Sequence, residues 1–126
     1  MKRIEHILSA LGKTWIFDLD GTVVKHNGYL IDGKDTLLEG VCEFFENIPD
    51  TDMIVFITAR TNDVKDVTEE FLLKNGIRFN QIIWNAPVGE RILINDKKPS
   101  GLNTALAINI ERDVFIKDIF KVNKEL

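Results

Sequence analysis

The run Trp15-Ile16-Phe17-Asp18-Leu19-Asp20-Gly21-Thr22-Val23 constrains this chain more than any other segment. Apolar residues lead straight into two acids separated by one position, and a glycine and a threonine follow at once. On an extended backbone, side chains at i and i+2 point the same way. Asp18 and Asp20 are therefore expected to face one small volume at the end of a strand. Gly21 lets the chain leave that strand through a conformation other residues avoid. Two carboxylates converging there suit Mg2+, which prefers oxygen ligands and keeps several waters. They also suit chemistry in which one carboxylate attacks and the other moves a proton.

The remaining pattern predicts an α/β fold. Apolar residues at 4, 7, 8 and 11 have helical spacing, and the first buried strand covers 14–17. A polar loop over 23–35 holds a short strand at Tyr29-Leu30-Ile31. An amphipathic helix over 36–48 stops at Pro49. The run 53–57 reads as a strand buried on both faces. A helix over 63–74 has Asn62 as N-cap and Gly76 as its stop. Strands follow over 81–84, 91–94 and 104–111, and a last helix over 113–122. Strands separated by helices predict a mostly parallel sheet covered by helices on both faces.

The 126 residues, 44% hydrophobic and 29% charged, suit a single domain spanning 1–126. A net charge of −4 without a long basic run does not favour a nucleic-acid surface. One cysteine, Cys42, excludes an internal disulfide and a Cys-rich zinc site. Its place beside apolar helical positions predicts a buried thiol. No stretch is apolar and long enough to span a membrane, and residues 1–13 lack the apolar core of a signal peptide. A cytoplasmic location without a membrane partner is the expectation.

In open parallel sheets, sites form beyond the carboxyl ends of the strands. Strand 14–17 ends at Asp18-Leu19-Asp20, strand 53–57 at Thr58-Ala59-Arg60, and strand 91–94 at Asn95-Asp96-Lys97-Lys98. Three successive strands thus deliver carboxylates, a hydroxyl with a guanidinium, and a carboxylate with two ammoniums to one edge. Such a set suits Mg2+ and a phosphate.

These residues resemble the haloacid dehalogenase (HAD) superfamily. Asp18-Leu19-Asp20-Gly21-Thr22 is similar to its first motif, DxDGT; Ile57-Thr58-Ala59-Arg60 is similar to the second; Ile94-Asn95-Asp96 is similar to the fourth. The resemblance implies a Rossmann-like sheet with the first-motif strand at its centre. It implies a Mg2+-dependent phosphomonoester hydrolase working through an aspartyl-phosphate. Asp18 would be the nucleophile. Asp20 would protonate the leaving alcohol and then activate water, and Thr58 would hydrogen-bond the transferring phosphoryl group. Asp18, the main-chain carbonyl of Asp20, and Asp96 would hold Mg2+.

The chain departs from that pattern in two places. The third motif is a Lys or Arg shortly before the fourth, and Trp84-Asn85-Ala86-Pro87-Val88-Gly89-Glu90 holds neither. Lys97 and Lys98 are the expected replacement cation. A second acid soon after Asp96 is also missing, the next being Glu111. The chain between Asp20 and Thr58, and between Thr58 and Asp96, leaves no room for a cap domain. The stretch Ile94-Asn95-Asp96-Lys97-Lys98-Pro99-Ser100-Gly101 with Thr104-Ala105 is similar to capless members associated with capsule and surface-polysaccharide biosynthesis. A small sugar phosphate is the implied substrate, with Gly21, Thr22, Ala59, Arg60, Asn85 and Lys98 against it. An open site borrows a lid from a neighbouring subunit or takes a large substrate, so self-association is an expectation. The alternatives are a phosphatase on a nucleic-acid end or phosphoprotein, a phosphotransferase, or a phosphate-binding module whose catalysis has decayed.

Overall fold

A computed structural model describes residues 3–126. In chain order its elements are β1 (Glu5–Leu8), β2 (Thr14–Phe17), α1 (Gly28–Ile31), α2 (Val41–Glu46) and β3 (Met53–Ile57). A 3-10 turn (Asn62–Val64) then runs into α3 (Lys65–Lys74), followed by β4 (Gln81–Ile83) and β5 (Ile119–Val122). The strands form two small parallel sheets, so the fold is α/β. The described residues divide into two compact units.

The larger unit comprises Gly12–Pro87 and Ile110–Ile116. Its sheet has the order β2-β3-β4, with Phe17 opposite Phe56 and Ile57 opposite Ile83. β2 and β3 form where the apolar runs at 14–17 and 53–57 predict them, because burial of Phe17, Ile54 and Phe56 drives both. Helix α2 buries Val41 and Phe45 against that layer. The core is strongly aromatic: the Phe17 ring lies 4.7 Å from Phe45 and 5.9 Å from Phe56 between centroids, and Phe115 joins from the far end of the sequence. Asp52, buried at the start of β3, accepts hydrogen bonds from Trp15 Nε1 (2.9 Å) and Lys13 N (3.0 Å), which ties β2 to β3. Asp52→Ala is expected to lower stability by about 1–3 kcal/mol, because two donors lose their acceptor; urea denaturation of the variant beside wild type measures it.

The smaller unit comprises the described residues up to Leu11 with Val88–Asn109 and Lys117–Leu126. In it β1 pairs with β5, Glu5 opposite Ile119 and Leu8 opposite Val122. His6 Nε2 and Asp118 Oδ2 are 2.7 Å apart, and the His6 ring stacks on Phe120.

Local patterning misleads wherever a distant partner decides. No helix forms over 4–11; Glu5–Leu8 form strand β1 instead, because β5 pairs with it along its whole length. The helix expected over 113–122 does not form. Asp113 is left-handed (φ 65°), which helices of L-residues do not propagate through, and Phe115 turns into the core. Tyr29-Leu30-Ile31 lies in α1 instead of a strand, closed by Asp32 N donating to Gly28 O (2.7 Å). The helix expected over 36–48 shortens to α2: Thr36 O accepts from Lys25 N, Leu38 N donates to Val23 O, and Gly40 is left-handed. On α2, Cys42 faces outward while Val41 and Phe45 face the core, so the thiol is exposed rather than buried. No strand forms over 91–94 or 104–111; Ile92 and Ile94 are 83% and 90% exposed, so the burial that would have favoured a strand is absent there.

Candidate functional site

Asp18 and Asp20 follow directly on β2, which ends at Phe17. Beyond Phe17 the chain folds tightly around the buried Leu19, whose carbonyl accepts from the amides of Thr22 (3.1 Å), Val23 (2.9 Å) and Val24 (3.1 Å). Gly21 takes φ 81°, a conformation that strains any residue with a Cβ, and so makes the turn at this position. The Thr22 hydroxyl donates to Asp18 Oδ2 at 3.4 Å. Asp18, Asp20, Gly21 and Thr22 line one cleft of about 290 Å³, together with Ile110 and Arg112.

Arg60, in the Thr58-Ala59-Arg60 segment that follows β3, is an internal hub. Its side chain is 1% exposed. Nε donates to Asp20 Oδ2 (3.0 Å), Nη2 to Asp20 Oδ1 (2.9 Å) and Asp35 Oδ1 (2.7 Å), and Nη1 to Asp35 Oδ2 (2.9 Å) and Thr68 Oγ1 (2.9 Å). These use every N–H a guanidinium carries. The Tyr29 ring centroid lies 4.1 Å from Arg60 Cζ. Burial by itself lowers the affinity of this guanidinium for its proton. The hydrogen bonds and charges of Asp35 and Asp20 outweigh that and hold its pKa above the ordinary arginine value. Asp20 Oδ1 also accepts from Asn27 N at 3.3 Å.

Thr58 is buried at the end of β3, where its hydroxyl accepts from Arg60 N (3.0 Å) and its amide donates to Ile83 O. Ala59 is exposed beside it. Asn85 takes the left-handed conformation (φ 60°) and donates its amide to Arg60 O at 2.9 Å. The structure thus brings Asp18, Asp20, Gly21, Thr22, Thr58, Ala59, Arg60 and Asn85 into the larger unit. Asp96, Lys97 and Lys98 belong to the smaller unit and are exposed. Their segment is a turn in which Lys98 N donates to Leu102 O, Asn95 Nδ2 to Thr104 Oγ1 at 2.9 Å, and the Thr104 hydroxyl to Asp96 O.

Among the described residues, no three His, Cys, Asp or Glu side chains cluster as a metal cage. The larger unit still supplies hard oxygen donors of the kind Mg2+ takes, the Asp18 carboxylate and the Asp20 carbonyl. A divalent ion that keeps several waters and binds through one or two carboxylates plus substrate phosphate fits that set.

Two contributors have no counterpart in the motif pattern. Asp35 ends a polar loop just before an amphipathic stretch, where an acid reads as a helix-start residue. Its partner Arg60 lies 25 positions on. Arg112 comes from a segment expected to separate a strand from a helix, and no spacing rule connects it to Asp18. No helix among the described residues is long and apolar enough to cross a membrane. No protein-family signature, curated protein or solved structure matches the chain.

Proposed function

We propose that the protein is a Mg2+-dependent phosphomonoester hydrolase of the HAD type, capless and Rossmann-like in its larger unit, acting on a small phosphorylated substrate of the sugar-phosphate class. The observation that carries this reading is the shared cleft: Asp18 and Asp20 both line it at the carboxyl end of β2, with Thr58 at the end of the adjacent β3. In this mechanism an Asp18 oxygen attacks phosphorus while the bond to the ester oxygen breaks, and Asp20 gives that oxygen a proton. Water then attacks the aspartyl-phosphate, its proton passes to Asp20, and the Asp18 carboxylate is regenerated. Mg2+, held by Asp18 and the Asp20 carbonyl, would neutralise phosphoryl charge that otherwise repels an anionic nucleophile. Asp96 enters as a further ligand through the resemblance alone. The hydrogen bonds to Asp20 occupy three of about four carboxylate lone-pair positions, two on Oδ1 and one on Oδ2. The remaining position, on Oδ2, is the one through which the proton would move.

Phosphate release from a panel of sugar, nucleotide and other small phosphates, with Mg2+ and with chelator, tests the reading. Chelator-sensitive release supports it and ranks the substrates. Absence of release by folded protein across the panel would sink it. One observation favours a second reading, a phosphate-binding module without turnover: Asp20 is tied to Arg60 through both oxygens, as a proton carrier need not be. Phosphate binding without any release across the panel would put that reading first.

A further inference from the structure

We propose that Arg112 is the cation that receives the phosphoryl group in the Asp18–Asp20 cleft, and that Asp113 is the anchor that sets it there. The proposal rests on the reading of the cleft as a phosphate site, and it names a residue that no motif assigns. Arg112 is the basic residue among the cleft's lining, and it is exposed. The buried guanidinium nearby, Arg60, donates all its N–H groups to protein oxygens and has none to offer a ligand. A cleft lined by two acids repels an anion unless a cation compensates, and Arg112 is the lining residue that can.

Its placement is built rather than incidental. Asp113 N donates to Gly21 O at 2.8 Å, and Asp113 Oδ1 accepts from His26 N at 2.7 Å. One residue thereby bonds both sides of the turn that follows Asp20. Val114 N donates to Glu111 O, closing a turn around Arg112 and Asp113, and Phe115 just beyond is buried in the aromatic core. Asp113 pays for this with a left-handed backbone (φ 65°), one that aspartate tolerates better than most residues. The stem of Arg112 lies directly over Gly21: a Cβ added there would come within 3.1 Å of Arg112 Cγ. Glycine at position 21 thus serves both the turn and the close approach of Arg112. A planar fork of donors suits the oxygens of a terminal phosphate, which it can grip in pairs. The cleft, about 290 Å³, has room for a phosphate group.

The test is calorimetric titration of inorganic phosphate, with Mg2+ present, into wild type, Arg112→Met, Arg112→Lys, Asp113→Gly and the Arg112→Met/Asp113→Gly double variant. Hydrolysis of p-nitrophenyl phosphate is measured on the same preparations, and thermal unfolding checks their fold. Loss of charge-assisted bonds should weaken phosphate binding in Arg112→Met by about 10–100-fold. Arg112→Lys should recover part of that affinity. Asp113→Gly keeps the left-handed backbone but loses the carboxylate. It should weaken binding less than Arg112→Met, and should add nothing in the double variant, since an anchor acts only through what it anchors. Unchanged phosphate affinity in folded Arg112→Met overturns the proposal, and if wild type still hydrolyses the ester the hydrolase reading survives that loss. Weakened phosphate binding in Arg112→Met with no hydrolysis by any protein upholds Arg112 and removes the hydrolase reading. Further weakening by Asp113→Gly in the Arg112→Met background overturns the anchoring role, and a wild type that binds no phosphate overturns the whole proposal.

Discussion

Asp18→Asn is expected to lower Mg2+-dependent phosphate release by about 10,000-fold or more, the scale on which loss of a catalytic nucleophile is felt, with the fold intact. Asparagine matches aspartate in size, and its amide oxygen can still accept from the Thr22 hydroxyl, which lies 3.4 Å from Asp18 Oδ2. What it lacks is the anionic oxygen that, in the proposed mechanism, would attack phosphorus and bind the metal. Asp18 is only half-buried and lies at a strand end, so the substitution should move stability by less than about 1 kcal/mol. Phosphate release and a urea melt on the same sample separate chemistry from folding. A folded variant keeping a tenth or more of wild-type activity would remove Asp18 from the nucleophile's role.

Arg60→Met should have the largest effect on stability, a loss of about 3–5 kcal/mol. The arginine side chain is 1% exposed and Asp35 5%, so methionine leaves the Asp35 carboxylate buried without its cation. Asp20 loses two hydrogen bonds at the same time. Set against a total of roughly 5–15 kcal/mol for a folded domain, that loss leaves a marginal protein. Arg60→Lys should recover only part of it, because an ammonium cannot present paired donors to two carboxylates in one plane. Adding Asp35→Leu to Arg60→Met should regain stability relative to the single variant, since the stranded charge is removed. The raised pKa of Arg60 gives its ion pairs a simple pH signature. Their stabilising contribution on the arginine side is complete at every pH below the unfolded arginine value and is lost only as pH rises beyond it, outside the working range. Urea midpoints across neutral pH should therefore show no titration from this side. A loss below about 1 kcal/mol in Arg60→Met would mean that the hub does not stabilise the fold.

How much was readable in advance depended on range. β2, β3 and α3 lie close to where apolar period and stop signals put them, because apolar runs that bury their own side chains and a helix with its own punctuation are decided by nearby residues, although β2 stands at the edge of its sheet and β3 at the centre. The Asp18–Asp20 pair stands out in the sequence through its one-residue spacing after an apolar run, and both acids line one cleft. β1 and β5 were not legible in this way. Each is a short, half-exposed strand whose assignment depends on pairing across most of the chain, and helical spacing in 4–11 cannot reveal a partner at 119–122. Arg60 reads as a ligand when it follows a strand, and becomes an internal hub only because Asp35 and Thr68 arrive beside it.

The sequence by itself therefore determined an α/β chain with two carboxylates converging at the end of an apolar strand, because alternation and a following glycine are local properties of the backbone. Tertiary structure alone decided which cations accompany them. It buried Arg60 between Asp20 and Asp35 and brought the stem of Arg112 over Gly21. The physical reason is that charge is compensated through space. A buried guanidinium must find its carboxylates wherever the fold brings them, and no spacing along the chain encodes that meeting.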